Sequence, residues 1–128
     1  MLWIEKRRFF SVFMLILIGT EIFYISLIPG FSGGETKFPF IPITYHFSVF
    51  FLFSFFLFFS IKWKNELKSR HAIFTLFVSL IYAISDEFHQ SFVPFRSPSF
   101  GDIIIDLAGI SFAILISIFI SNRNLSEH

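Results

Sequence analysis

At 128 residues the chain has room for one small domain. It is 55% hydrophobic and 22% aromatic, with 23 Phe but only 15% charged residues, and its mean hydropathy is +0.75. That balance excludes water as the main solvent of its surface and favours a bilayer. A net charge of +1 offers no basic field to a nucleic acid. The absence of Cys excludes a disulfide framework, a thiolate metal site and a lipoprotein anchor.

The first apolar stretch runs over about residues 9–28 and follows the basic group Lys6, Arg7 and Arg8. It is longer than the ~7–15 residues of a cleavable signal core, and no A-x-A site follows, so it reads as a retained span. Residues 29–41, "PGFSGGETKFPFI", hold helix-breaking Gly and Pro and form a loop. The second stretch covers about 42–61, and "KWKNELKSRH" at 62–71 is a charged turn. The third covers about 72–90, "SFVPFRSPSFG" at 91–101 is a second Pro-broken loop, and the fourth covers about 102–120. Each stretch approaches the ~20 residues a helix needs to cross ~30 Å of hydrocarbon. A membrane barrel would need about eight or more alternating segments, whereas these are continuously apolar. In lipid, the need to satisfy backbone groups internally selects helix despite the Phe and β-branched content. The expected fold is therefore all-α, an integral membrane four-helix bundle forming a single domain over 1–128.

Orientation follows from the basic residues. Lys6, Arg7, Arg8, Lys62, Lys64, Lys68, Arg70 and Arg123 fall on one side of the four spans, and Lys37 and Arg96 on the other. The positive-inside rule then places both termini in the cytoplasm and two loops outside, in a multi-pass protein of the cell membrane. Counting ~1.5 Å per residue from the basic anchors puts Glu21 ~20 Å up, His46 and Asp86 ~24 Å and Asp106 ~25 Å. Glu87, His89, Gln90 and Asp102 lie higher still. Every span thus brings an ionisable group to one outer level, and the cytoplasmic halves are expected to hold none.

Such groups are costly in hydrocarbon, about 2.5–3.5 kcal/mol at its centre, and normally face inward and pair. Asp86, His89 and Gln90 stand at i, i+3 and i+4, with Tyr82 one turn below, so they are expected on one face. Asp102, Asp106 and Gly109 share another, and Gly109 permits close helix approach. Arg96 can bridge carboxylates bidentately. Glu21 reads as structural, its carboxylate snorkelling to the interface. A purely structural ion pair would explain two of these residues, but not polar groups at one level on four helices.

The run D-E-x-x-Q-x-F-x-P-x-R, carried by Asp86, Glu87, Gln90, Phe92, Pro94 and Arg96, is followed by Asp102, Asp106 and Gly109. With His46 opening the second span in "HF", it resembles the signature of the VanZ-like membrane proteins. The chain departs from that pattern at Phe95, where the family often has Gly. It departs again in "PITY" ahead of the histidine, where an acidic–basic pair is common, and at Phe50, where a Tyr often stands. The resemblance covers all four spans and implies the bare four-span unit. It also implies a link to low-level resistance to the glycopeptide teicoplanin.

Three functional classes stay open. The first is an envelope accessory or binding protein engaging a lipid head group, a cell-wall precursor or a glycopeptide through His46, Asp86, Glu87, Gln90, Arg96, Asp102 and Asp106. Tyr82, Phe92, Pro94 and Gly109 would be structural. The second is an intramembrane enzyme on a lipid-linked substrate, with Asp86, Glu87, Asp102 and Asp106 split into acid and base roles and His89 as an alternative base. The third is a transporter or scramblase subunit, disfavoured because no polar path continues inward. The binding class is preferred, because Ser85, Ser91, Ser97 and Ser99 lack any nucleophile context. No cofactor is expected. His46 and His89 with Asp86, Glu87 and Asp102 could hold a divalent ion, but no H-E-x-x-H pattern is present, and that reading is the weaker one. The partners expected are membrane lipids and, through them, an envelope precursor or glycopeptide.

With no native Cys, single cysteines report topology. Gly34→Cys or Ser97→Cys should react with an impermeant thiol reagent in intact cells, and Glu66→Cys should not. The reverse pattern would invert the orientation.

Overall fold

The computed structural model describes residues 2–29, 40–62, 69–94, 96 and 98–126, with the side chains of 2–6 and 125 outside that description. Among them are four helices: α1 (Leu2–Ser26), α2 (Phe40–Ile61), α3 (Ser69–Gln90) and α4 (Phe100–Ser126). All four are long and apolar enough to cross a membrane. The expected spans lie inside these bounds, except that 27–28 fall just beyond α1. The helices run further than the apolar stretches because polar residues extend them into the interfacial zone. α3 takes in Ser69, Arg70 and His71, and α4 continues past Arg123, whose charge in the last turn complements the helix dipole. Lys37, Lys64, Lys68, Phe95 and Ser97 lie outside the described residues.

Each boundary has a local cause. α1 closes with tight bonds from the Leu27 and Ile28 N–H groups to the Tyr24 and Ile25 carbonyls, both 3.1 Å, just before Pro29. Pro42 sits in the first turn of α2, where its missing N–H is harmless. α3 unwinds through Ser91, Phe92 and Val93 to Pro94. Asp102 opens α4, an acid at the positive end of the helix.

The bundle is packed inside out relative to a soluble one. Phe9, Phe13, Ile16, Phe74, Phe77, Ile81, Leu115 and Phe119 all point outward, as lipid permits. Small and hydroxylic residues fill the helix contacts: Ser11 on α1, Ser54 on α2, Thr75, Ser79 and Ala83 on α3, and Ala113, Ser117 and Ser121 on α4. Without a hydrophobic drive between helices, close backbone approach and interhelical hydrogen bonds hold them together. Ser54 and Ser79 join α2 to α3 at 2.8 Å. A compact apolar layer of Ile18, Ile22, Val49, Phe50, Phe53, Leu57, Ala83 and Ile110 crosses the middle. Tyr82 stacks on Phe53 in that layer, ring centroids 4.8 Å apart, and its hydroxyl donates to the Gly19 carbonyl at 2.6 Å. α2 packs most extensively on α4 and next on α1, while α1 and α4 do not meet among the described residues.

The two ends of the bundle differ. Arg7, Arg8, Lys62, Arg70 and Arg123 gather where α1 and α3 begin. Arg8 Nε donates to the Ser60 carbonyl at 3.2 Å, capping α2. His71 is buried here against Phe58, which corrects the expectation that this half holds no ionisable group. The expectation counted His71 as part of a solvated turn, but α3 starts early enough to draw it in. The other end, where α1 and α3 finish and α2 and α4 begin, holds Arg96 and the carboxylates.

The closest approach of two helices is at Gly109. A Cβ there would stand 2.5 Å from the Phe47 carbonyl oxygen, a backbone atom that cannot swing aside. Gly109→Ala should therefore push α4 off α2 and lower the unfolding free energy in detergent by about 1–3 kcal/mol, as overpacking does. Thermal unfolding of the purified variant checks this.

Candidate functional site

The carboxylate-bearing end is built around His46 in the first turns of α2. The Gly109 contact brings α4 against it, one helical turn beyond Asp106. His46 Nδ1 lies 2.9 Å from Asp106 Oδ1, and Nε2 lies 3.9 Å from Asp102 Oδ2. Asp106 is fully buried and His46 nearly so, whereas the Asp102 side chain keeps 21% exposure and marks the rim.

α3 supplies the opposite wall. Asp86, Glu87 and Gln90 are all buried. Gln90 Nε2 donates to Asp86 Oδ2 at 2.9 Å. The Ser26 hydroxyl of α1 lies against Asp86 Oδ1. Glu87 Oε2 accepts the Ser99 backbone N–H at 3.0 Å, tying α3 to the start of α4, where the helix dipole favours an anion. One donor atom from each of His46, Glu87 and Asp106 falls within 4.8 Å of the others.

Glu21 keeps to the surface, as its structural reading expects, while His89 and Arg96 take positions other than those expected. Glu21 is exposed on α1, and Ser26 is the group through which α1 reaches the cluster. His89 is half-buried and stacks on Phe23, centroids 5.0 Å apart. Successive helical residues are turned by about 100°, so Asp86, Gln90 and Glu87 span one inward arc and His89 falls on its far side. Arg96 was expected to bridge carboxylates. Its Nε and Nη2 instead donate to the Ile28 and Ile25 carbonyls of α1, at 2.9 and 2.8 Å. It is a cap on the negative end of α1. Burial pushes its guanidinium below the ordinary value, while Asp86 and Glu87 push it back up, and it stays charged. Phe92 and Pro94 are exposed, Phe92 meeting Phe88 edge to face.

Ser26 and Tyr45, which touches His46 edge to face, are not marked by the sequence pattern, and Ser99, weighed there only as a nucleophile, contributes its backbone N–H. Ser26 lies at the level of Asp86 by the same residue count, and that was its available signal. The bond to Ser99 is made by a backbone N–H, which no residue type announces.

Three acceptor atoms of the site are left over. Glu87 Oε1, Gln90 Oε1 and Asp106 Oδ2 are buried without a hydrogen-bond partner among the described residues. Such groups cost about 1–3 kcal/mol each when left unmet. The arrangement can accept hydrogen bonds, coordinate a cation, or move a proton through an imidazole oriented by a carboxylate.

These features define a polytopic all-α membrane protein with a buried polar cluster near one end. The VanZ/LLP1 family model matches residues 9–121, nearly the whole chain, and the protein belongs to that family. No curated protein and no solved structure matches it.

If Arg96 acts by capping α1, Arg96→Ala should cost about 1.5–3 kcal/mol, the value of a charge-assisted hydrogen bond. Arg96→Lys should recover part of it. Thermal unfolding of both variants in one detergent checks the order.

Proposed function

We propose that this VanZ/LLP1 protein is an accessory protein of the cell envelope. On this reading it sits in the plasma membrane with its polar cluster towards the outer leaflet. There it binds the donor-bearing head of a membrane-resident molecule, such as a lipid, a lipid-linked cell-wall precursor or a membrane-anchored glycopeptide. The observation that carries this is the set of buried acceptors at Glu87, Gln90 and Asp106 that have no partner among the described residues. Because these leftover groups accept hydrogen bonds, the site favours hydroxyl or ammonium groups over a phosphate. An apolar groove of about 380 Å³, lined by Phe40, Ile41, Thr44, Tyr45 and Ser48, runs along α2 beside His46 and suits an acyl chain.

The His46–Asp106 pair favours a second reading, in which the imidazole is a general base for an intramembrane reaction on a lipid-linked substrate. Purified protein in nanodiscs of total envelope lipid separates the two by mass spectrometry. Retained but unaltered lipid, held about 10- to 150-fold more weakly by Glu87→Gln, supports the binding role, the loss matching ~1.5–3 kcal/mol for a charged hydrogen bond. Covalently changed lipid that disappears with Asp106→Asn would replace it with the enzyme.

A further inference from the structure

The buried cluster gathers more carboxyl groups than cationic partners. Asp86, Glu87, Asp102 and Asp106 act on one another and on His46, and the guanidinium in reach of them is that of Arg96. Taking uncompensated carboxylates into a low dielectric costs several kcal/mol per ion. Among the described residues, hydrogen bonds leave Glu87 Oε1 and Asp106 Oδ2 unmet, on residues that are at most 3% exposed. The same two residues and His46 bring one donor atom each to within 4.8 Å of one another.

We propose that His46, Glu87 and Asp106 form a site for one divalent transition-metal ion, with Asp102 at its rim. The inference rests on reading the cluster as a ligand site and names the class of ligand that occupies it. It reverses the sequence-level preference for no metal and leaves His89 out. The geometry suits the ion in two ways. His46 Nδ1 and Asp106 Oδ1 stand 2.9 Å apart, so an ion between them would take both as ligands, with the imidazole proton on Nε2, which faces Asp102 Oδ2 at 3.9 Å as an outer carboxylate. One imidazole with carboxylate oxygens is a donor set for Zn²⁺ or Mn²⁺, and two positive charges offset the surplus carboxylates. The ion would in turn draw the oxygen or amine of a head group to a cluster that otherwise offers mainly acceptors.

Full-length protein purified in detergent and stripped with EDTA is titrated with Zn²⁺ and, separately, Mn²⁺ by calorimetry, and its metal content is measured after gel filtration. About one ion per chain and a raised Tm are expected. Affinity should fall at least about tenfold in Glu87→Gln and His46→Gln, the scale of losing a ligand or its support, and stay unchanged in His89→Gln. Asp102→Asn, at the exposed rim, provides a folded variant with weakened binding. Folded wild-type protein that takes up neither ion overturns the site, as does binding that survives His46→Gln or vanishes with His89→Gln. Metal uptake by protein that retains no lipid supports the site while removing the proposed binding role.

Discussion

The approach of α4 to α2 at Gly109 is the contact on which the rest of the polar end depends. Hydrocarbon gives helices little reason to associate through apolar side chains, so backbones that can come close gain most. Hydrogen as the side chain of Gly109 lets the helix rest on the Phe47 carbonyl. That contact sets the height and distance at which Asp106, one turn earlier, meets His46, the residue before Phe47. The buried pair then makes the register costly to change, because sliding either helix would strand a carboxylate in a medium without water.

Around that contact the polar residues divide by task. Tyr82 joins α3 to α1 through the Gly19 carbonyl, Ser54 and Ser79 join α2 to α3, and Arg96 closes the carbonyl end of α1. These bonds join one helix, or for Arg96 the segment between α3 and α4, to another helix. His46, Glu87, Gln90 and Asp106 also make fold-building bonds, but each carboxylate or amide keeps an oxygen over. Among the described residues, open buried oxygens also occur as hydroxyls at the helix contacts, on Thr75, Ser117 and Ser121, but the open carboxylate and amide oxygens gather at this end. The surplus at one level, beside a partly exposed Asp102, is the physical ground for reading a ligand site in a VanZ/LLP1 protein.

The sequence by itself determined the solvent, the helix number and the end at which polar chemistry collects. Those follow from one-dimensional quantities: runs of apolar residues measured against bilayer thickness, and residue counts from the basic anchors to Asp86 and Asp106. It also singled out Gly109 as a point of close approach, because it shares a helix face with Asp102 and Asp106 and a small residue there lets a neighbour come near. What only the tertiary structure decided was the azimuth of each helix. Spacing placed His89 with Asp86, yet the inward arc runs the other way, through Gln90 to Glu87, because α4 and α2 pack on that side. Glu21 stood at the right height and faces outward, while Ser26 faces in. Arg96 lay between two acidic helices in sequence and turned to the carbonyls of α1, whose unpaired ends no pattern of side chains records. Height along a span is a count, but the direction a side chain faces depends on which neighbour the helix packs against, and that is a property of the assembled bundle alone.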